Sequence, residues 1–193
     1  MDHYSFFALA FRQKFIYRWG LMRNVKSESL SEHANETAIV THALALIGNN
    51  VYGENYDVGH AVLLALYHDV PEVYTGDLPT PVKYFDPSTK QSYEKVEKRA
   101  VSSLLSKIPP ELRPDFDSLL GEPDCKEKAL VKAADKLCAY IKCLEEEKCG
   151  NSEFRSAAAS LKRILDGIDL KELKWFIEHI LPSFCLTIDE MQM

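Results

Sequence analysis

In the stretch ALYHDVPEVYTGDLPTPVKY, residues 65–84, an apolar run gives way to His68 and Asp69 side by side, then Glu72, then Gly76 and Asp77. Buried ionisable groups are costly unless they are paired or bind a metal. Four of them within ten residues therefore ask for a cation. If the run continues as a helix, His68 and Glu72 are four apart and Asp69 and Glu72 three apart, which places all three near one face. Imidazole and carboxylate together suit borderline and hard divalent ions. A bound ion of that kind lowers the pKa of its water from 15.7 toward about 7 and neutralises a phosphoryl oxygen, which is the chemistry of metal-assisted hydrolysis. Glu72, one turn from His68, is placed to accept or orient the proton of such a water.

Two ligands do not hold an ion well, so others have to be sought. His33 lies on the apolar face formed by Thr37, Val40, Leu44 and Ile47, and Asp135 interrupts the apolar stripe of Val131, Ala134 and Cys138. A lone core histidine is usually only hydrogen-bonded, and a lone helical aspartate is often a satisfied polar group. Together with His68 and Asp69 they make a candidate ligand set. Arg18 offers planar paired donors suited to phosphate. From spacing alone, though, Arg18-Trp19 reads rather as a surface arginine beside a core tryptophan, and a turn cap is the lesser alternative for Asp77 after Gly76.

The elements that would position these residues are helical almost throughout. YSFFALAFRQKFIYRW spaces aromatics by three and four, and SLSEHANETAIVTHALALIG opens with a Ser29–Glu32 capping box and reads as ending at Gly48. DVGHAVLLALYHD forms the next helix, followed by a loop over residues 75–87. STKQSYEKVEKRAVSSLLSKI, ending at Pro109 and Pro110, KEKALVKAADKLCAYIKCLEEEK, FRSAAASLKRIL and LKELKWFIEHIL complete the set. Pro71 falls inside the helix of His68 and either kinks it before Glu72 or marks its end. No useful β-alternation, repeat or low-complexity stretch interrupts the pattern. The expectation is an all-α fold, one domain over residues 1–193.

The net charge is −6, with both signs mixed along the chain, so no basic stripe for nucleic acid is visible. Asp2, Arg12, Lys14 and Arg18 exclude an apolar signal segment at the N terminus, and no run is apolar enough to span a bilayer. A cytoplasmic chain with no membrane partner is expected. Cys125, Cys138, Cys143, Cys149 and Cys185 show no CxxC spacing and read as reduced thiols serving as small core residues.

The order His33, His68-Asp69, Asp135 on helices resembles the HD superfamily of metal-dependent phosphohydrolases. RWGLMRN, SEH, YHDVPEVYTGDLPTPVKYF, VKAADKLCAYIKCLEE and LPSFCLTIDE resemble, more narrowly, the bacterial HD-domain 5'-deoxynucleotidases along nearly the whole chain. The resemblance implies an HD-type helical bundle in which His33, His68, Asp69 and Asp135 hold one divalent ion, cobalt, manganese or similar. It implies Glu72 and Asp77 as catalytic groups, Glu72 at the attacking water and Asp77 at the reacting phosphate or the leaving 5'-oxygen. It puts Arg18 and Trp19 at the phosphate and sugar, Asp77, Leu78, Pro79 and Thr80 along the nucleotide, and His33 and Asp69 against the substrate as well. A deoxynucleoside 5'-monophosphate as substrate, broad base tolerance and a homodimer are implied in turn.

No histidine lies between His68 and Asp135, which favours one metal over the two-metal HD chemistries. Few basic residues, Arg18, Arg23 and Lys83, lie near the motifs, which favours a monophosphate over a tetraphosphate or triphosphate substrate. A catalytically silent metal or nucleotide sensor would have no need of Glu72 and Asp77, and a purely structural helical protein would leave the buried carboxylates without a cation.

Overall fold

The computed structural model describes residues 3–83, 85–121 and 124–192, with Thr80 described through its backbone only. α1 (Phe6–Ala10) runs into a 3-10 turn at Phe11–Phe15, and α2 (Leu30–Val51) follows. Next come α3 (Val58–Tyr67), α4 (Glu72–Thr75), α5 (Thr80–Lys83) and α6 (Pro87–Leu105). α7 (Arg113–Leu120), α8 (Glu127–Lys148), α9 (Arg155–Asp166), α10 (Lys171–His179) and α11 (Ile188–Gln192) complete the order. Among the described residues there is no strand, only an isolated bridge between Tyr17 and Ser29. The all-α expectation holds.

Local chemistry explains the helices that matter for function. At the start of α2, Glu32 Oε2 accepts from both the backbone N–H and the hydroxyl of Ser29 at 2.7 Å, and Ser29 Oγ accepts from Glu32 N–H at 3.2 Å. This reciprocal cap satisfies donors that a helix otherwise leaves open. α2 does not stop at Gly48 but runs on to Val51. A Cβ at Gly48 would come within 2.5 Å of the Tyr56 ring, so this glycine serves close packing rather than a helix end.

α3, by contrast, ends early. It stops at Tyr67, and residues 68–71 form turns rather than continuing the helix as the sequence reading had them. Pro71 has no N–H to offer the Tyr67 carbonyl. That carbonyl instead accepts from Val70 N–H at 3.2 Å, and the bond from Glu72 N–H to the Asp69 carbonyl at 3.0 Å keeps the same tight register. Pro71 thus marks an end, and Glu72 opens a new short helix with Pro71 as its N-cap residue.

The described residues gather into two compact units. The first holds residues 3–21, 27–35, 66–83, 85–121 and 124, and the second holds 22–26, 36–65 and 125–192, so α2 contributes its first six residues to one and the rest to the other. In the first unit, Phe6, Val70, Leu104, Ile108 and Leu120 form the core, with Tyr67 and Phe116 packed on it. The Phe6 ring meets Phe116 edge-on at 4.9 Å. Val70 is therefore an anchor: burying it fixes the turn that carries His68 and Asp69. In the second unit α8 supplies Leu130, Ala133, Ala134, Leu137, Cys138 and Ile141 to a core shared with Leu44, Ile47, Leu165, Leu173 and Phe176. Cys138 and Cys143 are buried, as small core residues would be, whereas Cys149 and Cys185 are exposed. No helix among the described residues is long and apolar enough to cross a membrane.

Candidate metal and phosphate site

The first unit collects the chemistry. Residues 16–18 run antiparallel to 28–30: Arg18 N–H donates to the Glu28 carbonyl at 2.9 Å, and Leu30 N–H to the Ile16 carbonyl at 2.8 Å. This short pairing sets Arg18 and Trp19 beside the entry to α2, whose first turn carries His33.

His33 is fully buried. Its Nε2 lies 3.7 Å from Asp69 Oδ2, and the same oxygen lies 3.1 Å from His68 Nε2. The two imidazole rings are 5.4 Å apart, with one nitrogen of each within 4.8 Å of the other. Two ligands about 2.1 Å from one ion are roughly 3 to 3.5 Å apart at ninety-degree to tetrahedral angles; the His68–Asp69 spacing falls in that range and the His33–Asp69 spacing just beyond it. The donor set, two imidazoles and a carboxylate turned toward one another, therefore fits a divalent ion. Arg18 Nη1 stands 3.5 Å from Asp69 Oδ2, and Arg18 Nε stands 3.5 Å from Glu28 Oε1.

Glu72 begins α4, and its Oε2 is shielded from solvent with no hydrogen-bond partner among the described residues. Burial, reinforced by the negative charges of Asp69 and Asp77, outweighs Arg18 and Lys83 and pushes its carboxyl up to about 9. Asp77 follows Gly76, whose φ of 71° lies in the left-handed region that a side chain disfavours. Burial raises the Asp77 carboxyl too, against the pull of Arg18 and with a push from Asp69. Leu78 and Pro79 are half-buried in the same non-helical segment, and the Pro79 carbonyl opens α5 by accepting from Val82 N–H at 2.8 Å. Thr80 begins that helix, and its side chain lies outside the described residues.

Of the residues singled out from the sequence, Arg18, His33, His68 and Asp69 are thus brought together in this unit, with Glu72 and Asp77 in electrostatic reach. His68, Asp69 and Glu72 get there across a proline-ended turn and not along one helix face. Trp19 lies at the rim of the cluster, joined to it through its indole N–H. Asp135 sits on α8 in the other unit, its Oδ2 2.9 Å from Lys136 Nζ.

One member was not foreseen. Glu28 is buried, its Oε1 is 3.4 Å from His33 Nδ1, and its Oε2 accepts from Trp19 Nε1 at 2.7 Å. Burial would raise its carboxyl, but His33, Arg18 and Trp19 together hold it below the usual range. Nothing periodic marks Glu28 in the sequence. Its only signal is an acid five residues ahead of His33, just outside the helix.

The fold is that of the HD-domain phosphohydrolases. A protein of that class from Listeria innocua superposes with a TM-score of 0.82 at 20% identity, covering 98% of this chain and 92% of its own. The HD phosphohydrolase DatZ of cyanophage S-2L, solved with dA and one catalytic Zn2+ ion, superposes with a TM-score of 0.64 at 22% identity over 91% of this chain and 96% of its own. Sequence narrows the class. The family described as YfbR-like 5'-deoxynucleotidase matches residues 5–184, and the chain belongs to that family. A 5'-deoxynucleotidase of Yersinia pestis (strain Pestoides F) is 48% identical over 195 residues, covering 100% of this chain and 98% of its own. One from Enterobacter sp. (strain 638) is 47% identical over 193 residues, covering 99% and 97%.

Proposed function

We propose that this chain is a metal-dependent 5'-deoxynucleotidase, a phosphoric monoester hydrolase that converts 2'-deoxyribonucleoside 5'-monophosphates to deoxynucleoside and inorganic phosphate. The observation that carries the reading is the convergence of His33, His68 and Asp69 on one point, with Arg18 beside it. Relatives at 47–48% identity carry the same activity in their names.

His33, His68, Asp69 and Asp135 hold one divalent ion in this reading, Asp135 entering through the family's ligand order. When bound, the ion supplies a water acidified toward neutral pH and neutralises a phosphoryl oxygen. Cobalt, manganese and zinc all suit imidazole–carboxylate ligands. Glu72 serves the attacking water in this reading: the charge of a bound ion would offset the burial and the negative neighbours that raise its carboxyl, leaving it ionised to accept that water's proton. Arg18 orients the phosphate with paired N–H donors, and Asp77, whose carboxyl burial raises, donates to the leaving 5'-oxygen. Leu78, Pro79 and Thr80 line the nucleoside, His33 and Asp69 approach the phosphate from the metal side, and Trp19 walls the sugar where a 2'-hydroxyl would sit. Broad base tolerance completes this reading, as the family resemblance implies. The match runs through both units, which supports one functional domain over residues 1–193, working as a homodimer in the cytoplasm.

Phosphate release from mono-, di- and triphosphates of several deoxynucleosides and ribonucleosides tests this. Release confined to deoxynucleoside monophosphates, whatever the base, is the expected result. Hydrolysis restricted to triphosphates, diphosphates or guanosine tetraphosphate would replace it with another HD phosphohydrolase, and metal binding with no hydrolysis at all would leave a sensor.

A further inference from the structure

We propose that Glu28 is a positioning residue that ties the metal-binding histidine to the phosphate-facing arginine and the tryptophan beside it. The inference rests on the functional reading above for what His33, Arg18 and Trp19 do, and on geometry for what Glu28 does to them. A single buried carboxylate touches all three: Oε1 lies 3.4 Å from His33 Nδ1 and 3.5 Å from Arg18 Nε, while Oε2 takes the Trp19 indole proton at 2.7 Å. Its backbone contributes as well, because the Glu28 carbonyl accepts Arg18 N–H at 2.9 Å.

Each contact has a consequence. Nδ1 faces Glu28 and Nε2 faces Asp69, so in this proposal His33 carries its proton on Nδ1 and turns the Nε2 lone pair toward Asp69 and His68. Carboxylates behind ligating histidines fix the tautomer and ring orientation in this way. Arg18 is held from both ends, Nε by Glu28 and Nη1 by Asp69, so its guanidinium plane cannot swing freely. Trp19 has φ of 60°, a left-handed conformation that a bulky side chain rarely adopts and that persists only where its surroundings enforce it. The bond to Glu28 is one such enforcement. Glu146, whose partners Val25, Lys26, Lys142 and Asn151 all lie outside the site, has a purely structural task. The side-chain partners of Glu28 are instead residues of the site.

Glu28→Gln keeps the shape and removes the charge. Zinc affinity of metal-stripped protein, measured by competition with a chromophoric chelator, should fall by about 10–100-fold in this variant. The Trp19 indole N–H resonance, assigned with Trp19→Phe, should move in the same variant. Folded Glu28→Gln that binds zinc within about twofold of the parent overturns the proposal, since an outer-shell partner of this kind is worth at least tenfold. If far-ultraviolet circular dichroism shows that the variant does not fold, zinc titrated into the parent decides. The Trp19 indole resonance must then shift as His33 takes up the ion, and an unmoved resonance overturns the coupling. Neither readout uses hydrolysis, so absence of phosphate release would sink the functional reading without touching this one.

Discussion

Two buried charged clusters, one in each unit, answer the same electrostatic problem differently. Glu146 in the second unit has every donor it needs: Lys142 Nζ at 2.5 Å, Lys26 N–H at 3.2 Å, and Val25 N–H and Asn151 Nδ2 at 2.8 Å. Burial acts to raise its carboxyl, but those bonds prevail and hold it down at about 2. In the first unit Glu28, Asp69, Glu72 and Asp77 face chiefly Arg18 and two imidazoles, and Glu72 and Asp77 are pushed up rather than down. A closed cluster stabilises a fold. A cluster with acceptors in excess suits added positive charge, which in the proposed function is a divalent ion and the proton of a water.

The contrast can be broken or sharpened by substitution. The largest effect is expected from Asp69→Asn, which removes a proposed metal ligand and the Arg18 partner together. Phosphate release should fall by more than the roughly 10²–10⁴-fold that a lone acid–base group contributes, and bound metal, read by elemental analysis, should fall with it. Glu72→Gln should lower kcat within that range, about 10²–10⁴-fold, yet leave metal content unchanged, separating proton transfer from ion binding.

In the other cluster the sign of the outcome reverses. Glu146→Gln strands Lys142 and should cost about 3 kcal/mol of stability by urea unfolding, with turnover per folded molecule retained. Acid should do the same to the parent. Because the folded carboxyl sits near 2 and the usual value is 4.5, its contribution is complete above about pH 4.5 and lost as pH falls toward 2. Urea midpoints between pH 6 and pH 3 should drop in the parent, and drop less in Glu146→Gln. The smallest effect is expected at the cap that starts α2. Glu32→Ala opens the Ser29 cap and should cost about 1 kcal/mol in thermal unfolding, with a smaller effect on zinc affinity than Glu28→Gln has.

Periodicity and caps made the helices legible. Ser29 and Glu32 announced the start of α2, and the apolar stripes of α8 and α9 their extent. The HD pair with Glu72 and the loop after Gly76 made most of the site legible too. What stayed hidden depends on contacts between distant segments. Gly48 reads as a stop until Tyr56 is seen against it. Pro71 left two outcomes open, and the Tyr67 carbonyl bonding to Val70 chose the helix end. α7 sits where Pro109 and Pro110 had suggested only a break, and its apolar residues Phe116 and Leu120 have meaning through Phe6. Glu28 joins the site through an antiparallel pairing of three residues with three, too short to leave an alternation in the sequence.

The central claim is that the acid-rich cluster works only around a divalent ion and acts on a deoxynucleoside monophosphate. Phosphate release from deoxyadenosine 5'-monophosphate and adenosine 5'-monophosphate should be followed in one preparation, first stripped with chelator, then after stepwise return of cobalt, manganese or zinc. The account predicts no release from the stripped protein, recovery near one equivalent of ion, and a clear preference for the deoxy substrate. Undiminished release from the stripped protein, or no release with metal demonstrably bound, would contradict it.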